Sequence, residues 1–128
     1  MAPAWREETA SDLEDAIGRL SRLIKDVSGE PTPAQLKSIW MSYLDVEKSI
    51  AFIRLDIDEE SPGRSVNLRR YFVPDERQAM AFALGALRKG SESFRAGDFR
   101  RAIGELRDCR NYLRALIREK RLKPYRAR

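Results

Sequence analysis

Apolar residues recur at steps of three and four along most of the chain, which is the pattern of amphipathic α-helices. The first such run covers residues 11–28 and ends at a Ser-Gly-Glu-Pro sequence. It opens with SDLE, in which Ser11 and Glu14 have the spacing of a capping box, so the spacing predicts a helix that starts at Ser11. The apolar stripe of this helix consists of Leu13, Ile17, Leu20, Ile24 and Val27.

A second helix is predicted over residues 33–59. Thr32 and Gln35 form another capping box, and Pro33 suits the first helical position because its missing amide proton would be unpaired there. The main stripe consists of Leu36, Ile39, Tyr43, Val46, Ile50, Ile53 and Ile57.

Further apolar residues of the second helix lie outside its main stripe. They are Trp40, Leu44, Ala51, Phe52 and Leu55. A helix that is apolar around much of its circumference is typical of a buried position, so we expect this helix to be central. The alternative is that these additional apolar residues contact a partner, for example in a homodimer through the second helix.

A long connection with Pro62, Gly63 and Pro74 separates the second helix from the third. Within it, the sequence NLRRYF sets Arg69 and Arg70 beside Tyr71 and Phe72. Arginines next to aromatic rings are able to contact phosphates and to stack on bases, with Tyr71 as the stacking residue. The alternative is that the aromatic rings fasten the connection to the helices while the arginines stay in solvent.

The third and fourth helices are predicted over residues 75–96 and 99–121. Gly97 suits the left-handed position that ends a helix, and Asp98 suits the cap of the next one. The two helices should therefore form a tight antiparallel pair, followed by a basic C-terminal tail over residues 122–128.

Together these elements predict an all-α fold, a compact bundle of four main helices with a long connection between helices two and three. A length of 128 residues fits a single domain over residues 1–128 whose core needs no disulfide or metal.

The sequence GSESFRAGDFRRAIGEL resembles the middle of a tetratricopeptide repeat. The matching positions are Gly90, Phe94, Gly97, Asp98, Phe99, Ala102, Ile103, Leu106 and Cys109. Lys89 and Ser93 depart from the pattern, and no second copy follows at the expected period, so the resemblance implies one repeat-like hairpin inside a bundle. Prokaryotic four-helix families such as the HEPN group look similar in this hairpin. Their ribonuclease activity needs a histidine, which this chain lacks.

The composition excludes several kinds of chemistry. Cys109 is the only cysteine and the chain has no histidine, so disulfides within the chain, Cys/His zinc sites and histidine-based catalysis are all excluded. We predict no cofactor, no metal site and no enzymatic activity. The charged start and the lack of a long apolar run predict a cytoplasmic protein without a membrane segment.

The charge of the chain is divided unevenly. Residues 1–60 carry 7 basic and 13 acidic side chains, whereas residues 61–128 carry 18 basic and 7 acidic ones. On the fourth helix, one broad arc is apolar and consists of Ala102, Leu106, Cys109, Leu113, Leu116 and Ile117. Six arginines fall within another arc of about 80°, displaced from the apolar one. We call them the arginine row: Arg100, Arg107, Arg110, Arg114, Arg118 and Arg121.

Three interpretations of the arginine row remain open. In the first, the row is a solvated face that pairs with the acidic first half of the chain. In the second it binds nucleic-acid phosphates, and in the third it binds an acidic protein. We predict a non-catalytic accessory or adaptor protein whose arginines, with Lys123, Arg69 and Arg70, contact nucleic acid or an acidic partner. The alternative is a protein-only interaction module or a homo-oligomeric scaffold of tetratricopeptide-like type.

Overall fold

The computed structural model describes residues 3–57 and 67–126, and the side chains as far as residue 118. The predicted all-α bundle of four main helices, with a connection between the second and third, is confirmed. Its elements are α1 (Ala4–Asp26), α2 (Pro33–Asp56), a short 3₁₀ turn (Leu68–Tyr71), α3 (Glu76–Arg95) and α4 (Phe99–Arg126).

The predicted start of the first helix at Ser11 is wrong. Helix α1 already begins at Ala4, so Ser11 lies inside it, and the Glu14 carboxylate accepts a hydrogen bond of 2.6 Å from Arg95. The reason is tertiary packing, because the Trp5 ring lies 6.0 Å from the ring of Phe94 and Thr9 is buried. Contacts of this kind extend the helix past a local start signal.

The capping box of the second helix is confirmed. The Thr32 hydroxyl accepts a hydrogen bond of 3.2 Å from the amide of Gln35, whose side chain accepts one of 2.9 Å from the amide of Thr32. Helix α2 ends at Asp56, and the predicted end at residues 58–59 lies outside the described residues.

The end of the last helix also differs from expectation. Residues 122–126, which we assigned to a tail, continue α4 as helix. Leucine, lysine and arginine are good helix formers, and cations stabilise the negative end of the helix dipole, so the helix continues although Pro124 has no amide proton to donate to it. The basic terminal segment is therefore helical as far as Arg126.

The helices are arranged in the order α1, α2, α4, α3 around the bundle. Ion pairs cross three of the four helix boundaries: Arg19 with Asp45, Arg95 with Glu14, and Arg110 with Glu47. At the fourth boundary, Gly97 has a φ of 81° and allows α3 to turn directly into α4. Helix α4 therefore lies between α2 and α3.

The core is supplied by all four helices, and α2 is not central. Helix α2 contacts α1 and α4, and its outer side leaves Trp40, Met41, Leu44 and Leu55 exposed. In a four-helix arrangement each helix turns one side inward, so the additional apolar residues of α2 meet solvent. The largest fully buried side chains include Leu13, Leu20, Ile39, Ile53, Met80, Leu87, Leu106 and Leu113.

Helices α3 and α4 approach each other closely at Gly90. A Cβ atom at this position would lie 2.6 Å from Cδ2 of Leu106, so a larger residue would push the helices apart. Asp98 caps the start of α4 by accepting a hydrogen bond of 3.3 Å from the amide of Arg101. Among the described residues, no helix is long and apolar enough to cross a membrane.

Candidate nucleic-acid interface

The described arginines of the row lie on a side of α4 that adjoins the side buried by Leu106, Leu113 and other core residues. Arg100, Arg114 and Arg118 are exposed, and within the described part of the chain no ion pair joins them to a carboxylate. Arg107 is half-buried. The side chains of Arg121 and Lys123 lie outside the described residues.

Arg110 differs from the rest of the row because it faces α2. Its Nη1 atom lies 3.2 Å from Oε1 of Glu47, and its Nε atom donates a hydrogen bond of 3.3 Å to Oδ1 of Asn111. The Arg110 side chain is only 19% exposed. This arginine therefore stabilises the α2–α4 boundary instead of extending into solvent.

The 3₁₀ turn adds two further arginines beside α4. The hydroxyl of Tyr71 donates a hydrogen bond of 3.0 Å to Asp108, and its ring meets that of Tyr112 edge-on at 5.0 Å. Arg69 and Arg70 are exposed and immediately precede this anchored tyrosine. The turn therefore brings both arginines to the middle of α4, while the Tyr71 ring is engaged within the protein.

Three acidic groups of α1 have cationic partners outside α4. Lys48 lies 2.9 Å from Glu8 and 3.3 Å from Asp12, and the hydrogen bonds that it donates to these two carboxylates raise the pKa of Lys48. Glu14 pairs with Arg95 of α3. The pairs of Arg95 with Glu14 and of Arg110 with Glu47 join the basic half to the acidic half, whereas Lys48 belongs to the acidic half itself. Among the described residues, this pairing leaves the exposed arginines of α4 outside it.

An open groove of about 860 Å³ runs between α3 and α4 on the outer side of the hairpin. Ala81, Gly85 and Ala86 form its floor, and the Phe82 and Tyr112 rings stack 5.7 Å apart at one end. Its acidic side chains, which outnumber the cations Lys89 and Arg101, are Glu92, Asp98, Glu105 and Asp108. Four carboxylates against two cations give this groove a negative charge, which disfavours a polyanion there.

Sequence reasoning missed this groove. Ala79, Ala83 and Gly90, the small residues on the inner side of α3, are buried between the helices, whereas Ala86 of the same small-residue face also lines the groove. The signal for the groove was the second small pair, Ala81 and Gly85, spaced by four on the other side of α3. Small residues on both sides of a helix indicate a close internal neighbour and a shallow outer surface.

Cys109 is fully buried, and burial raises the pKa of its thiol. The thiol therefore stays protonated and out of contact with solvent, which is the environment of an inert core cysteine. Across residues 3–57 and 67–118, no group of three or more His, Cys, Asp or Glu side chains is placed to hold a metal ion.

No protein-family model, curated protein or solved structure matches this chain. The tetratricopeptide-like character of the hairpin from Gly90 to Cys109 remains an interpretation of its residues.

Proposed function

We propose that this protein is a non-catalytic accessory or adaptor protein that binds the phosphate backbone of nucleic acid through α4. The observation that supports this proposal is the exposure of Arg100, Arg114 and Arg118 on one side of a single helix, with no carboxylate partner among the described residues. The segment from Arg100 to Arg118 is about 27 Å long at the helical rise of 1.5 Å per residue. That length spans several consecutive phosphates.

The chemistry of these side chains fits phosphate better than base edges. A guanidinium group offers a planar fork of donors that matches two phosphate oxygens. Phosphate contacts fix the position of a protein on a nucleic acid but do not identify its sequence. The proposed binding is therefore tolerant of sequence and weakens steeply as salt rises.

The test reverses the charge of the three exposed arginines in one variant, with Arg100, Arg114 and Arg118 each changed to glutamate. Anisotropy of labelled single-stranded and duplex oligonucleotides is measured between about 50 and 200 mM salt, a range over which phosphate contacts are strongly screened. The wild-type protein should bind, and the variant should bind at least about a hundredfold more weakly, with a salt slope lower by about three.

A matched control keeps the change in net charge and alters its location. It replaces Arg22, Lys25 and Lys89 by glutamate, three cations that are exposed on α1 and α3. This control should retain most of the affinity, and circular dichroism should show both variants folded. Equal loss in both variants, or no wild-type binding at low salt, contradicts the proposal.

A second candidate is a protein-only interaction module, and the open groove between α3 and α4 supports it. Gly85 lies in that groove, and a Cβ atom added to it would have no atom within 4 Å, so Gly85→Leu should fill the groove without disturbing the fold. Partners that are captured after nuclease treatment and are lost with Gly85→Leu would favour this candidate. Partners that disappear with nuclease alone would favour the phosphate-binding function.

A further inference from the structure

The side chain of Phe72 is exposed directly after the 3₁₀ turn. The residue is 47% exposed. Among the described residues, its ring has neither an aromatic partner nor a cation over its face. Other exposed aromatic rings differ, since Phe82 stacks on Tyr112 and Trp40 stacks on Tyr43. Phe72 therefore offers a phenyl face that ring contacts within the described chain leave open.

The geometry of the 3₁₀ turn divides its side chains into an inner and an outer set. A 3₁₀ helix has three residues per turn, so side chains three residues apart lie one above the other. Leu68 and Tyr71 share the inner side, where both are half-buried and Tyr71 bonds to Asp108. Arg69 and Phe72 are both exposed, and the amide of Phe72 donates a hydrogen bond of 3.4 Å to the carbonyl of Arg69. The guanidinium group and the phenyl ring thus share one outer side of the turn.

The backbone that carries this pair is fixed at both ends. The Asn67 side chain accepts a hydrogen bond of 3.1 Å from the amide of Arg69 and so caps the start of the turn. At the other end, the hydroxyl of Tyr71 is bonded to Asp108 of α4. A surface that is ordered before its ligand arrives loses less conformational entropy on binding. The positions of Arg69 and Phe72 are therefore preorganised.

The two arginines of the turn have no carboxylate partner to balance their charge. Within the described part of the chain, no ion pair joins Arg69 or Arg70 to a carboxylate. Asp75, the next carboxylate in the sequence, caps α3 by accepting hydrogen bonds from the amides of Arg77 and Gln78. An open aromatic ring beside such cations is the combination that binds an unpaired base and the phosphates next to it.

We propose that Phe72 is a stacking platform for one unpaired base, and that the nucleic acid bound by this protein is therefore single-stranded. Arg69 contacts a phosphate beside that base. Phe72 takes the stacking role that the sequence predicted for Tyr71, whose ring is engaged within the protein. This inference rests on the proposed function, to which it adds a base contact and a class of ligand.

The preference for a single strand follows from access to the face of a base. In a duplex, both faces of a base are covered by its neighbours, and taking the base out of the stack costs free energy. In a single strand a face is available without that cost. Because every base has a π face, stacking on Phe72 selects single strands without selecting their sequence.

The platform lies beside the arginine row. Tyr71 joins the turn to Asp108, which is about 12 Å from Arg100 and about 9 Å from Arg114 along the axis of α4. Around the helix, Asp108 is displaced by about 80° from Arg100. A ligand that reaches both places must therefore bend around α4. A flexible single strand does so more easily than a duplex, whose persistence length is about 150 base pairs.

The test compares two oligomers of equal charge, a single-stranded oligodeoxythymidine of about 12 nucleotides and an abasic backbone of the same length. The wild-type protein should bind the thymidine oligomer about 5- to 150-fold more tightly, which is the contribution of one stacked base. Phe72→Ala should remove this preference and leave the affinity for the abasic oligomer unchanged. Phe72→Trp should retain the preference, because indole also stacks on bases.

Two further variants separate the ring from its surroundings. Phe52→Ala is the matched control, because it removes a phenyl ring from α2, which makes no contact with the 3₁₀ turn among the described residues. It should keep the preference for the thymidine oligomer. Arg69→Ala should weaken the binding of both oligomers equally and lower the salt slope by about 0.7, since one phosphate contact is lost.

The possible failures are distinguishable. Equal binding of the two oligomers by the wild type, or a preference that survives Phe72→Ala, overturns the stacking platform and leaves phosphate binding intact. A wild-type protein that binds neither oligomer overturns the proposed function as well. If Phe72→Ala instead loses a protein partner that resists nuclease, while it binds both oligomers like the wild type, the ring belongs to a protein contact and the stacking proposal is wrong.

Discussion

The hydroxyl of Tyr71 donates a hydrogen bond of 3.0 Å to Oδ1 of Asp108 and so ties the 3₁₀ turn to the middle of α4. The contact of the Tyr71 ring with Tyr112 adds an apolar component. This relationship favours the second of the two interpretations of the connection, in which the aromatic ring is an anchor. The adjacent Arg69 and Arg70 are then held beside α4 in solvent.

Tyr71→Phe should lower the free energy of unfolding by about 0.5 to 1.5 kcal/mol, because it removes one hydrogen bond and keeps the ring. Urea unfolding followed by circular dichroism measures the change. Tyr43→Phe is the control, since no hydrogen bond of the Tyr43 hydroxyl is present in the described residues, and it should change stability less. An unchanged stability for Tyr71→Phe would mean that the turn is not anchored through Asp108.

The two candidate helix caps should respond differently to alanine. Thr32→Ala removes a capping hydrogen bond and should cost about 1 kcal/mol. Ser11→Ala should be neutral or slightly stabilising, because Ser11 is exposed inside α1 and alanine is the better helix former. Thermal unfolding of both variants checks the pair, and a large loss with Ser11→Ala would indicate that α1 begins at the predicted position after all.

Two helical glycines of α3 provide a matched test of packing against helix propensity. Gly85→Ala meets no atom within 4 Å and should stabilise the protein by up to about 1 kcal/mol. Gly90→Ala places a Cβ atom 2.6 Å from Cδ2 and 2.8 Å from Cγ of Leu106, which is fully buried. It should destabilise by about 1 to 3 kcal/mol through overpacking.

Denaturant midpoints of the two alanine variants should therefore move in opposite directions. If Gly90→Ala were as stable as Gly85→Ala, the close approach of α3 and α4 at Leu106 would not be a constraint on the bundle.

The local signals of the chain determined the number of helices, their type and several of their ends. Thr32 with Gln35, Gly97 and Asp98 act through hydrogen bonds and dihedral angles within a few residues, so their effect is readable without knowing the fold. The core positions of α4, including Cys109, were also predictable, because the helical period sets which side chains share a face.

Tertiary contacts decided the rest. Helix α1 begins at Ala4 because Trp5 packs against Phe94, a residue far away in the sequence. Likewise, the helical period grouped Arg110 with Arg114, but only the position of Glu47 on α2 separates a paired arginine from an exposed one. A helical period defines the faces of each helix, whereas the packing of the four helices decides which faces are covered.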